Sequence, residues 1–543
     1  MLNLLNDSWL PARRADGAVE TIRPDEITRL IASNPVVAID WARADFRIAC
    51  LELLIGLVAT ACPPHHDDAW DHAWKAPPSP EALAAAFAPI AHAFDLDGPG
   101  PRFLQDIEEL PGEPDSPETL LIEAPGANTR RNNTALLVKP GRVAALSRAA
   151  AAMALFTLQC YAPSGGRGNL TSLRGGGPLT TLVLPPGQPR TLWHLIWANM
   201  PILRGGPVSP ADLPQIFPWL AATRTADRYP ATTPQTVHPL QAFWGMPRRI
   251  RLDFADNAEG RPCDLTGTVD PVIVTGWRQR PNGVRYVGWE HRLSPAYKDA
   301  KSGTWLPVHP QPGGIGYRHW VGLVFDTPNE TRRPARAIAD WRDGRAADAH
   351  ANGEAGLLAA GYDIYNNMKA RAFIESEMPL PGGDPVATAI TAAVARHLVD
   401  AAGIAASALR LAVRQARYDK DTKLDSTALA SVYESFWAAT HDRFFELVLD
   451  GAALSWETAL DERAQPWVGH VRRAALRLFD EAAPLDPTAV SSKPERIVAA
   501  RLALLGTLSG RGKTGKALFE ALELALPEPK AKRAQRPKGA KTR

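Results

Sequence analysis

In this chain of 543 residues the strand-like runs all lie before Asp384-Pro385, and the stretch beyond that pair reads as helix alone. Asp384 is a residue of helix-capping type, and Pro385 suits a first helical position, where its missing N–H is not needed. Beyond it apolar residues recur at helical spacing, as in Leu429, Val432 and Phe436 and then Phe444, Leu447 and Val448. The spacing predicts helices over 386–402, 407–417, 426–449, 456–481 and 493–526, the last broken near Gly510–Gly515. Ser492, with Glu495 three residues on, has capping-box spacing. Successive amphipathic helices must bury their apolar stripes against one another, so residues 385–526 are expected to form an all-α helical (four-helix) bundle.

Residues 1–384 read as α+β with irregular loops. Helices are expected over 41–61 and 144–161, and strands over 180–184, 249–254, 272–277, 284–289 and 321–325, several bounded by Gly, Pro or Asn. Residues 527–543 form a third segment. The chain as a whole is nearly neutral, with a formal charge of +3, yet Lys530, Lys532, Arg533, Arg536, Lys538, Lys541 and Arg543 follow Glu528 without an acid among them. Such a tail is expected to be disordered and to hold polyanions loosely, or to serve only as a solvated end.

Cys50, Cys62, Cys160 and Cys263 form no C-x-x-C pair, which argues against a disulfide framework or a thiolate zinc site and fits a reducing cytoplasm. The start of the chain lacks the pattern of a signal peptide, and uninterrupted apolar runs fall short of a bilayer span, so no membrane partner is expected. Gly510–Lys516 comes close to G-x-x-x-x-G-K-[ST], but Ala517 has no hydroxyl for magnesium and the run follows a helix. His65, His66 and Asp67 crowd together beside Cys62 without the i, i+4 spacing of a helical zinc site. No catalytic elbow or paired-carboxylate motif stands out. A non-enzyme with no cofactor is the expectation; a nucleotide- or metal-dependent nucleic-acid enzyme and an RNA-binding helical scaffold are the alternatives.

The run from Tyr161 to Val183 places two glycine clusters and two arginines between a helix and a strand. Lacking Cβ, such backbone can bring its N–H groups against a polyanion or a base-pair edge; it can equally be a long surface loop. Gly276–Arg285 reads as a strand, a basic turn holding Arg278 and Arg280, and a returning strand. Gly361–Arg371 gathers amides, Lys369 and Ala370, a set suited to minor-groove edges or to a capped helix start.

In series, Leu4–Pro11, Arg102–Gln105, Asn133–Gly141, Ala154–Phe156, Leu173–Thr181 and Asn367–Ala370 occur in the order and approximate spacing of the CasA family, the large subunit of the type I-E CRISPR surveillance complex Cascade, and the chain resembles that family over most of its first 380 residues. The resemblance implies a subunit that reads the motif beside the target in double-stranded DNA while guide RNA reads the target itself. It implies DNA contacts at a glycine loop (Gly165, Gly166, Arg167, Gly168), a basic finger (Arg280, or Arg278) and a wedge (Asn367, Met368, Lys369, Ala370). It also implies a loop carrying Asn133, Leu136, Lys139, Arg142 and Arg148 that docks near the 5′ end of the guide RNA. The implied partners are guide RNA, the backbone, 5′-handle-binding and small subunits, target DNA and a recruited helicase-nuclease.

Overall fold

A computed structural model describes every residue except 136–137, 167, 188, 206–207, 328–330, 350–354, 366–368, 426–427, 450–455, 486–492 and 529–543. Leu136, Arg167, Asn367, Met368, Ser492 and the basic tail residues therefore lie outside the described residues. The chain divides into two compact units, Met1–Ile315 with His319–Pro385, and Gly316–Arg318 with Val386–Arg543.

The first unit is built on the helix Ala44–Ala61, which is buried along nearly its whole length. A helix apolar on all sides belongs inside a core, and the acids it carries there, Asp45 and Glu52, are both paired. The helix Arg148–Tyr161 packs beside it, opened by Ser147, whose Oγ accepts from Ala150 N at 3.3 Å. It starts later than the sequence suggested because Leu146 and Ser147 pair with Val274 and Ile273 as a short strand. Phe94, Phe103, Phe156, Phe217, Trp219 and Trp244 fill the space beyond it; the rings of Phe94 and Trp244 meet edge to face at 5.4 Å.

Four three-stranded antiparallel sheets occur among the described residues. Two position the candidate site. In one, Ala355–Tyr365 runs between Lys369–Leu380 and Thr180–Leu184. In the other, Val272–Arg280 runs between Leu146–Ser147 and Arg249–Asp256. Two expected strands are absent. Residues 284–289 make only isolated bridges, at Val284 and Tyr286. Residues 321–324 are helical, within Tyr317–Val324, where Tyr317, Trp320, Val321 and Val324 keep the i, i+3, i+4, i+7 spacing of a helix.

The second unit is dominated by long helices. Pro385–Arg417 is one continuous helix where two were expected, carrying Gly403 in its interior. The predicted 426–449 helix is instead Ala430–Ala439 and His441–Leu449, separated at Thr440, whose hydroxyl bonds back to Phe436 O at 2.8 Å. Trp456–Ala482, Pro494–Thr507 and Gly512–Glu520 complete it. Tyr317 stacks on Phe444 at 4.3 Å, and Trp467 donates from Nε1 to Leu398 O at 2.9 Å. By length and composition Pro385–Arg417 could cross a bilayer; here Val394, Leu398, Ala402, Ala405 and Leu409 are buried inside the unit.

Candidate nucleic-acid interface

The glycine run leaves the helix at Tyr161 and re-enters regular structure at Thr180, and both ends are fastened to one buried carboxylate. Glu52 receives the Tyr161 hydroxyl at 2.5 Å, the Thr180 hydroxyl at 2.5 Å and the Arg174 guanidinium at 2.5 Å. Arg174 also donates to Thr180 Oγ1 at 3.0 Å and Ser294 Oγ at 3.2 Å. Burial by itself would lower Arg174, but the charge of Glu52 holds it above the usual guanidinium range; burial and the same carboxylate push Tyr161 well up, so it stays a neutral donor. Gly168 and Gly177 then mark where this run touches its neighbours.

At Gly168 (φ +79°) the loop meets the turn that follows Arg280. Asn282 N donates to Gly168 O at 2.8 Å, and a Cβ on Gly168 would lie 2.6 Å from Asn282 Oδ1. At Gly177 (φ +63°) the run passes the outgoing strand of the long hairpin, where a Cβ would lie 2.4 Å from Ile364 Cγ1. One segment thus bridges the end of the basic strand and the end of the long hairpin, and both approaches require glycine.

Gly165, Gly166 and Gly168 are exposed, with Asn169 N returning to Gly166 O at 2.8 Å in a tight turn. Behind them lies Arg248, a buried guanidinium that donates to Pro163 O and has no carboxylate partner among the described residues; burial draws it down to about 10. A positive charge therefore stands directly behind the exposed backbone turn.

Arg278 and Arg280 are not equivalent. Arg278 gives Nη1 to Asp253 Oδ1 at 2.6 Å and Nε to Gly112 O at 2.9 Å. Arg280, last in its strand, is exposed and has no side-chain partner among the described residues. The strand after it does not return alongside, so the predicted finger is the open end of a strand pair, opposite Arg249, followed by Pro281–Gly283. At the wedge, Asn367 and Met368 are outside the described residues; Lys369 is exposed at the start of the return strand opposite Tyr365, and Ala370 is half-buried opposite Ile364.

In the expected docking loop, Asn133, Lys139 and Arg142 are exposed, Asn133 with φ +50°, and Gly141 N donates to Glu118 at 2.6 Å. Arg148, where that loop was expected to end, is the first residue of its helix, its guanidinium bound to Asp270 at 2.8 Å and Asp97 at 3.3 Å.

The motifs of the enzyme alternative have structural duties. His66 caps the helix Asp67–Lys75 by accepting from Ala69 N at 3.1 Å, His65 bonds Leu203 O at 2.9 Å, and burial pushes the Cys62 thiol up to about 12. No group of three or more His, Cys, Asp or Glu among the described residues could hold a metal ion. Gly510–Lys516 takes in the end of the link after the helix Pro494–Thr507 and the start of the helix Gly512–Glu520, without the strand a phosphate loop needs.

Glu52, Arg174 and Arg248 escaped the sequence reading. Arg174 stands before three glycines and Arg248 beside Arg249 and Arg251, and Glu52 and Pro163, which they bind, are more than eighty residues away in sequence.

The fold is shared with solved proteins. Structures similar to this chain include CasA (Cse1) of Thermus thermophilus, 19% identical with a TM-score of 0.64 over 94% of this chain and 100% of that one. Cse1 of Thermobifida fusca is 15% identical, with a TM-score of 0.68 over 96% and 98%. A chain of a CRISPR RNA-guided surveillance complex is 17% identical, with a TM-score of 0.66 over 93% and 99%. Residues 3–478 match the family model for the CRISPR-associated protein Cse1, and over that span, most of its length, this chain belongs to the Cse1 family.

Proposed function

We propose that this chain is the non-catalytic subunit of an RNA-guided CRISPR antiviral complex that recognises the protospacer-adjacent motif in double-stranded DNA from the minor groove. It starts the unwinding that leads to an R-loop and helps recruit the helicase-nuclease. Its partners are the guide RNA, the backbone, 5′-handle-binding and small subunits, and the target duplex, in the cytoplasm. Family membership supports the setting. The observation that carries the reading is the single glycine run that bridges the free Arg280 and the end of the long hairpin.

Each part has a physical task. The minor groove is only about 6 Å wide, so a backbone turn without side chains approaches its floor where a Cβ would not. Arg280 supplies a cation with forked donors to the acceptor-rich groove. The end of the hairpin, near Lys369, is placed to enter the first base step, at an unstacking cost of a few kcal/mol that RNA–DNA pairing offsets. Minor-groove readout is degenerate, so several flanking motifs are tolerated.

The test uses the assembled, guide-loaded complex. Gly166→Asp and Arg280→Ala lower binding to motif-flanked duplexes and leave assembly intact. Gly166 has φ +65° with open space around a Cβ, and aspartate tolerates that conformation, so the variant adds charge without a clash. Unchanged target affinity in both variants overturns the reading.

A further inference from the structure

Arg249–Asp256 and Val272–Arg280 place arginines opposite one another twice, Arg249 against Arg280 and Arg251 against Arg278. Like charges directly opposite destabilise a sheet, so two such pairs in succession call for a reason. Acids answer for part of it: Arg249 is bound to Asp106 and Glu108, and Arg278 to Asp253. Arg251 is different, giving Nη1 to the neutral carbonyl of Asp106 at 3.1 Å. Arg102 joins it from the Arg102–Gln105 segment. There Phe103 is core and Gln105 is buried, accepting from Leu252 N at 3.0 Å, while Arg102 bonds Gly98 O at 2.8 Å and lies over the Phe254 ring at 5.7 Å.

Arg102, Arg251 and Arg278 line an open cleft of about 960 Å3 whose acids are Glu109 and Asp253, the latter taken by Arg278. Neither Arg102 nor Arg251 hydrogen-bonds a carboxylate among the described residues. Arg102 is lowered by burial and then by the charge of Arg251, although Asp97 and Glu109 oppose this: two guanidiniums share a site without a full counter-charge. Arg278 lies two residues from Arg280 on the same strand, about 6.6 Å at 3.3 Å per residue and close to the rise of two base steps along the DNA axis.

We propose that this cleft is a phosphate site that holds the backbone of the target duplex outside the flanking motif, through the N–H groups of Arg102 and Arg251. It extends the contact surface from Arg280 along the strand pair and carries no sequence information, positioning the duplex while the glycine loop reads it. The proposal rests on the DNA-recognition reading above.

The experiment measures binding of the guide-loaded complex to two targets, one with about ten base pairs beyond the motif and one cut immediately outside it, over a range of salt concentrations. The Arg102→Gln/Arg251→Gln double variant is expected to bind the long target about tenfold more weakly. Its log–log salt slope should fall by roughly one to two, and its affinity for the short target should match the parent. The Arg102→Lys/Arg251→Lys variant, which keeps the charge, restores most of the slope and controls for folding. Equal loss on both targets, no loss on either, or loss of co-purified guide RNA overturns the site. A length-dependent loss alongside silent Gly166→Asp and Arg280→Ala upholds the phosphate site and refutes the groove reading; the reverse pattern does the opposite.

Discussion

The run 165–177 and the run 510–516 both mix glycine with basic residues, yet they differ in what holds them and in what they face. The first is fastened through Tyr161, Arg174 and Thr180 to the buried Glu52 and touches the Arg280 turn on one side and the long hairpin on the other. The second takes in the end of a link between two helices and the start of the latter, and its exposed Lys513 and Lys516 have nothing comparable built around them. Composition alone makes both into phosphate loops. A binding site needs backbone that is exposed and held still, and a buried ion-pair network supplies the second condition in one case only.

The largest expected effect breaks that network. Glu52→Gln leaves the Arg174 guanidinium buried without a counter-charge and should destabilise the fold by about 3–5 kcal/mol, read from chemical denaturation. A loss below about 1 kcal/mol would mean that the run is held by other contacts. Next, Arg280→Ala should cost about 1–3 kcal/mol in target affinity, roughly 5- to 150-fold, while the unfolding midpoint stays put. Arg278→Ala should instead show mainly in stability, because its partner Asp253 is left alone.

A pH experiment probes the same network from its edge. Burial, and then the charge of Arg174, hold His291 well below its ordinary value. The unfolded chain therefore takes up a proton below about pH 6.5 that the folded chain refuses. Stability is full above that pH and should fall as the pH drops, by up to about 1.4 kcal/mol per unit for this group. His291→Gln should flatten that slope, and an unchanged slope would show that the imidazole is not held neutral. The smallest effect belongs to the second run: Lys516→Ala should leave both stability and target binding within about 0.5 kcal/mol of the parent.

The two-part fold was legible because it rests on local periodicity. The helical end shows as i, i+3, i+4 recurrence, and the loops before it show as glycine and proline. Helix breaks were less legible: nothing near Gly403 ends a helix, while Thr440 does, by bonding its own preceding turn. The stretch 321–325 misled because β-branched content outweighed a helical spacing that begins earlier, at Tyr317. Alternation along 369–380 was the missed sign of the long hairpin's return strand. In the candidate site, the glycine loop and the basic pair Arg278 and Arg280 could be picked out from residue type and resemblance. The choice between Arg278 and Arg280 could not, because it turns on Asp253, set by strand register. Glu52 with Arg174, and Arg102 with Arg251, are brought together only by tertiary packing.

The most direct measurement of the central claim compares the guide-loaded complex with and without this chain for binding to duplexes carrying randomised flanking trinucleotides. The account predicts a clear ranking of trinucleotides when the chain is present and its collapse when the chain is absent or carries Gly166→Asp. A ranking that is the same with and without the chain would contradict it.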